Sequence, residues 1–217
     1  MSRKAEADGC SRVKEGLARV LEERAQKLWG PLVAGVDEAG RGPLAGPLIV
    51  AAVILPRDLR LAAELDDSKR IPPRRRAKLA FEIRQQAVAW SVVRVSARTI
   101  DRIGVAGAVD RGMAGAVGRL RPAPCGVLFD GSRVPPGLGV PGRAVVDGDR
   151  LAAAIMAASI LAKTARDREM DRWDRIFPGY GFARHRGYGT ALHYARLIEL
   201  GPSPVHRRSF LHERSWT

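Results

Sequence analysis

Apolar positions along the chain fall into runs of distinct period. Val13, Leu17, Val20, Leu21 and Leu28 recur at helical spacing among Arg and Glu residues, and Gly30-Pro31 stops the predicted helix near Trp29. Leu32 to Val36 is a short apolar strand that runs into Asp37-Glu38. After a Gly- and Pro-rich turn over residues 40–47, Leu48 to Leu55 is apolar on both faces, which predicts a strand covered from both sides. Residues 56–73 read as loop, and residues 74–89 as a helix, with Leu79, Ile83 and Ala87 four apart. Trp90 to Val95 reads as a strand, residues 97–120 as one or two small-residue helices, and Gly126 to Phe129 as another strand. A loop over 131–142 precedes a short strand, Ala144 to Val146. Leu151, Ile155, Ala158, Ala162 and Ala165 then predict a long helix reaching about Trp173. Residues 177–189 are a Gly- and aromatic-rich loop, and Ala191, Tyr194, Ala195 and Ile198 mark the apolar face of a last helix. Strands and helices interleave without an internal repeat, which predicts an α/β fold with one mixed central sheet flanked by helices and a helical C-terminal part.

Composition sharpens this in one respect. The 217 residues suit one domain, with 46% hydrophobic and 28% charged residues, and exclude wholesale disorder. The formal net charge is +14, and 31 of the 37 basic residues are Arg. This is either a compositional bias or the electrostatic footprint of a protein that binds a polyanion. The longest apolar run has eight residues, against ~20 for a membrane-spanning helix, and no apolar segment follows the basic N-terminus as a secretory signal would. Two cysteines, Cys10 and Cys125, offer neither a disulfide framework nor a zinc site. A cytoplasmic, reduced setting and no membrane partner are the expectation.

The candidate chemistry sits where strands end. Three apolar strands run into carboxylates: Asp37-Glu38, Asp130, and Asp147-Gly148-Asp149. A single Asp there is commonly a turn residue or helix cap. Several together, in a chain where acids are scarce, would repel one another unless a cation neutralised them. Oxygen-only ligands suit Mg²⁺ or Mn²⁺. Beside the first pair, Gly40-Arg41-Gly42 fits neither a dinucleotide fingerprint, because the third Gly comes at 46 and a β-run follows, nor a phosphate-binding P-loop, because the chain has no Gly-Lys pair. It is a backbone-exposing turn that a nucleic-acid backbone can approach closely, with Arg41 to grip a phosphate.

These residues carry a resemblance. Val33 to Pro47, Asp67-Ser68-Lys69, Leu128 to Gly131, Gly148-Asp149, Ala157 to Lys163, Arg166-Asp167, Tyr180-Gly181-Phe182, His185 to Thr190 and His206 to Phe210 appear in the order found in the bacterial ribonuclease HII family, the type 2 ribonucleases H. The chain resembles that family over roughly residues 28–210. The resemblance implies a ribonuclease H-like fold with residues 1–28 as an N-terminal polar segment and helix, and 29–217 as the catalytic domain with its C-terminal extension. It implies an endoribonuclease that acts on RNA–DNA hybrids, and on DNA 5′ of single embedded ribonucleotides, to leave 5′-phosphate and 3′-hydroxyl ends. The family's catalytic and metal-binding acids fall on Asp37, Glu38, Asp130 and Asp149, with Mg²⁺ or Mn²⁺ as cofactor, two ions during catalysis. Its substrate-reading turn falls on Gly40, Arg41 and Gly42, its substrate-sensing tyrosine on Tyr188, and backbone-holding lysines on Lys69 and Lys163. A monomer is expected.

The chain departs from the family at Asp147, where Lys is usual; a second carboxylate there either adds charge at the site or turns outward. His185, His193, His206 and His212 lack metal-ligand spacing and read as surface or hydrogen-bonding residues. Tyr180, Phe182 and Tyr194 read as packing residues, Ser68 and Ser159 as caps or phosphate contacts, and Arg74-Arg75-Arg76 as a phosphate track or a solvated face. Two rival functions remain. A non-catalytic hybrid-binding module is disfavoured by four acids that would repel phosphate without metal. A ribonuclease HIII-like enzyme needs an extra N-terminal domain, for which the 36 residues before Asp37 leave no room.

Overall fold

The eight apolar residues from Leu48 to Leu55 find cover on both sides, as a two-faced strand requires. In the computed structural model, which describes residues 20–57, 65, 68 and 70–211, β2 (Leu48–Ile54) lies between β1 (Val33–Ala39) and β3 (Ala89–Val95), antiparallel to both. β4 (Gly126–Asp130) pairs with β1, and β5 (Gly142–Val145) with β4, each in parallel. The five-stranded mixed sheet has the order β3-β2-β1-β4-β5.

The pleat sorts β2 residues between two cores. Leu48, Val50, Ala52 and Ile54 join Ala34, Val36 and Phe129 under α3 (Ala97–Gly118). Ile49, Ala51 and Val53 face α2 (Pro73–Gln86) and α5 (Ala153–Ile176). A helix over residues 20–29, α1, covers Val33 and Leu128 at one edge. The expected one-or-two helices over 97–120 are one element broken at Gly104, whose φ of 72° is not helical. The long helix begins later than Leu151, because residues Gly148–Leu151 form a separate turn, α4. The loop over 177–189 contains a further short helix, α6 (Phe182–His185). Among the described residues no helix is long and apolar enough to cross a membrane.

One expectation needs correction. In α7 (Ala191–Leu200) the packed face is not that of Ala191, Tyr194, Ala195 and Ile198: Ile198 is 64% exposed, and His193 and Leu197 are the residues buried. The apolar period points the wrong way because a histidine occupies the inward position. Of the two alternatives for the histidines, the structure takes the second: His185, His193 and His206 are buried and hydrogen-bonded.

Gly35 sets how closely α5 approaches β1. A Cβ there would stand 2.1 Å from the Ala154 carbonyl carbon, which is backbone and cannot swing aside. Gly35→Ala therefore forces α5 off the sheet. We expect a loss of about 3 kcal/mol or more, read as a lower urea midpoint.

Candidate active site

The sheet register brings the acids together. Val36 pairs with Phe129 across the parallel β1–β4 ladder, so Asp37 and Asp130 leave adjacent strands side by side. After β5 the chain turns through Asp147, in the left-handed region at φ 54°, and the Asp149 backbone N–H donates to Asp130 Oδ1 at 3.3 Å. Asp147 is exposed, the outward of the two alternatives for this residue. Glu38 follows Asp37 and is only partly buried; its Oε1 lies 3.3 Å from Arg41 Nη1.

Asp37 is 6% exposed, and its carboxyl is held well above the usual range, by burial first and then by the neighbouring charges of Glu38 and Asp130. The Ser159 hydroxyl on α5 and the Glu38 N–H, which donates to Asp37 Oδ1 at 2.6 Å, act the other way. Ser159 Oγ lies 2.9 Å from Ser68 Oγ, so these serines bond one another rather than capping helices. The donor set is all oxygen, and the burial and neighbouring charges that raise the Asp37 carboxyl are what a bound cation would offset. This fits a divalent ion in chemical type. Among the described residues, however, no three acidic, His or Cys side chains already converge on a single ligating point.

The turn after β1 is fastened from behind. Gly40 has φ +98°, and a Cβ there would strike Arg166 Nε at 2.1 Å, so only Gly suits this position. Arg207, fully buried, donates from Nη2 to the Gly40 carbonyl at 2.5 Å, from Nη1 to the Arg41 carbonyl at 2.7 Å and from Nε to the Gly46 carbonyl at 3.1 Å. Arg166, 1% exposed, donates from Nη2 to the Arg186 carbonyl at 2.9 Å and lies 5.7 Å from the Tyr188 ring centroid. Tyr188 is 48% exposed. Its turn is tied to the Gly40–Gly46 turn by the Leu44 N–H, which donates to the Gly187 carbonyl at 2.8 Å. Arg166 and Arg207 lie within matched stretches of sequence, but nothing in the sequence sets them apart from the other arginines as supports of this turn.

Lys163 is half-buried and donates to Asp167 Oδ1 at 2.5 Å; Arg76 Nη2 meets Asp167 Oδ2 at 2.7 Å. Burial lowers the Lys163 ammonium, with Asp167 opposing. Arg76 is therefore buried structure, whereas Arg74 and Arg75 are exposed. Lys69 and His212 lie outside the described residues. Tyr180 and Phe182 pack as expected, their rings stacked with centroids 5.1 Å apart.

The buried histidines predict an acid limb in stability. Burial is the largest cause pushing His193 and His206 down to about 4, from an ordinary 6.5. Between those values the unfolded chain holds protons that the folded chain does not, so stability falls as pH drops through this window, by up to roughly 3 kcal/mol for one such histidine. The urea midpoint should decline from pH 7 to pH 4.5, and less steeply in His193→Asn; equal slopes would contradict this.

Comparison with known proteins is consistent with this geometry. A family model described as Ribonuclease HII matches residues 34–217. A ribonuclease HII of Halorhodospira halophila is 52% identical over 184 residues, covering 84% of this chain and 92% of the relative. Among solved structures, the PCNA:RNase HII complex from Archaeoglobus fulgidus is similar with TM-score 0.71 and 28% identity, over 83% of this chain and 96% of that one. Bst-RNase HIII in complex with Mn²⁺ has TM-score 0.67 at 18% identity, over 88% of this chain and 71% of that one, a likeness of fold alone. The chain belongs to the ribonuclease HII family, and is a hydrolytic endoribonuclease of the type 2 ribonuclease H class, acting on RNA–DNA hybrids.

Proposed function

We propose that Asp37, Glu38, Asp130 and Asp149 hold two divalent ions, Mg²⁺ or Mn²⁺, and that the enzyme cuts 5′ of ribonucleotides, including single ones embedded in DNA. The observation that carries this reading is the meeting of Asp37 and Asp130 at adjacent strand ends, with Asp149 bonded to Asp130, beside a Gly40–Gly42 turn that two buried arginines hold in place. A Mn²⁺ complex of a protein with the same fold supports the choice of cation. When bound, such ions would activate water and stabilise charge on the leaving oxygen of a phosphodiester.

The chain's own residues do the rest. Asp37 and Asp130 would hold the ions most directly, while Glu38 and Asp149 would complete the ligand set and orient water. The attacking water oxygen bonds to phosphorus and becomes part of the 5′-phosphate, the P–O3′ bond breaks, and the leaving O3′ takes up the proton the water gives up and becomes the 3′-hydroxyl. Arg41 is exposed, so its bond to Glu38 is weak and a substrate phosphate can compete for the guanidinium. Selection must come from groups that sense the 2′-hydroxyl, since every phosphate looks alike to a metal ion. The Gly40–Gly42 backbone can approach that hydroxyl, with no side chain at either glycine. Tyr188, half-exposed beside this turn, stacks on the adjoining sugar at the ribo–deoxyribo junction. Lys163 and Lys69 supply positive charge for the backbone.

A duplex with one embedded ribonucleotide tests the metal assignment. Cleavage should appear with Mg²⁺ or Mn²⁺ and vanish with chelator; cleavage that survives chelation would overturn it.

A further inference from the structure

Residues 203–207 lie behind both substrate-facing turns. The Val205 carbonyl accepts from Gly46 N–H at 2.9 Å, the Arg207 N–H donates to the Leu44 carbonyl at 2.8 Å, and His206 bridges to Ala45. Neighbouring side chains of this strap then serve different turns. Arg207 holds the Gly40 and Arg41 carbonyls. His206 points to His193, with 2.9 Å between the two Nε2 atoms, and His193 Nδ1 lies 2.9 Å from the Tyr188 carbonyl.

The proton positions in this chain are fixed by its ends. The Ser203 backbone N–H donates to His206 Nδ1 at 2.9 Å, so that nitrogen is an acceptor. A neutral His206 must therefore carry its proton on Nε2 and donate to His193 Nε2. His193 must then carry its proton on Nδ1, facing the Tyr188 carbonyl at 2.9 Å with the Gly187 backbone also nearby. No proton can be added to either ring without breaking a link. His193 is also fully buried, stacked on His185 with centroids 4.3 Å apart and edge-on to Phe182 at 5.7 Å, so its ring cannot turn away.

We infer that His206 and His193 form a tautomer-locked relay that positions the backbone of Tyr188 relative to the Gly40–Gly42 turn, and that His193 is a positioning residue for cleavage at a ribonucleotide. This rests on the proposed placement of Tyr188 at the ribonucleotide. The relay couples both substrate-facing turns to one strap, so the gap between them is set by buried hydrogen bonds rather than by the exposed loop itself.

Two variants separate positioning from mere support. His193→Phe fills the ring space but donates nothing to the Tyr188 carbonyl. His193→Asn keeps a donor on the atom attached to Cγ, where Nδ1 stands. Both lose the link to His206, so both should melt lower by similar amounts. On a duplex with a single ribonucleotide, His193→Phe should lose at least about tenfold in kcat with KM changed less than about twofold, whereas His193→Asn should stay within about threefold of wild type. Equal kcat losses in the two variants, or none in His193→Phe, would overturn the positioning role. Should His193→Phe not fold, imidazole ¹⁵N spectra of the wild type decide. They should show His206 protonated on Nε2 and His193 on Nδ1, the less common neutral tautomer of a free side chain; the reverse assignment would overturn the relay. Tyr188→Ala distinguishes the two ideas. If that variant cuts single ribonucleotides normally, the placement of Tyr188 fails, while the ¹⁵N assignment still tests the relay itself.

Discussion

Asp37→Asn and Asp130→Asn should each reduce cleavage by about 1,000-fold or more while leaving affinity for a hybrid duplex intact or higher. The two side chains leave adjacent parallel strands, so each substitution would take an oxygen ligand from the same proposed metal site. Loss of charge stabilisation worth several kcal/mol gives an effect of that size. Each substitution also removes a negative charge that repels phosphate. Asp37 adds a second readout. Its carboxyl is raised by burial, Glu38 and Asp130, so ionised Asp37 opposes folding at neutral pH. That contribution is favourable below the unfolded value of 3.8 and is lost as pH rises through the folded value. Asp37→Asn should therefore melt higher than wild type at pH 7 in the presence of chelator. Near-normal activity in both variants would remove the basis for the metal assignment, and a lower melting temperature for Asp37→Asn would contradict the electrostatic account.

Arg207→Met should produce the other large effect, a loss of about 2–4 kcal/mol in stability together with a severe loss of cleavage. The guanidinium is fully buried and serves the carbonyls of Gly40, Arg41 and Gly46 at once. Met leaves these acceptors without their donor, at about 1–3 kcal/mol for each group that water cannot reach. The gain on the other side is small. Burial, then nearby Arg166, pushes Arg207 down to about 9, so removing one of two neighbouring cations relieves some repulsion. Arg207→Lys should recover only part of the loss, because one ammonium cannot span three carbonyls as a planar fork does. Thermal melts and cleavage rates check both variants. A stable, active Arg207→Met would show that the turn holds its shape unaided.

The centre of the sheet was legible because β1, β2 and β4 are buried on two faces, and two-faced burial leaves uninterrupted apolar runs such as Leu48 to Leu55. The acids were legible for a related reason: each stands where an apolar run stops. The face of α7 was not legible, because its inward residue is His193, a polar residue whose burial is explained by hydrogen-bond partners outside the helix, at Tyr188 and His206. Arg166 and Arg207 were hidden in the same way. An arginine that donates to carbonyls 120 or more residues away has no local signature, and here it stands among 31 arginines. Asp147 could be placed only by its backbone, since a left-handed φ of 54° directs the residue outward and lets Asp149 turn in.

On the proposed reading, this site selects ribonucleotides rather than merely hydrolysing the RNA strand of a hybrid. The most direct test is a sequencing-gel map of the cut made by the wild-type enzyme in an end-labelled DNA duplex carrying one ribonucleotide. We expect a single cut on the 5′ side of that ribonucleotide, with a 3′-hydroxyl on one fragment and a 5′-phosphate on the other. An enzyme that leaves this duplex intact but cuts long RNA–DNA hybrids would contradict it.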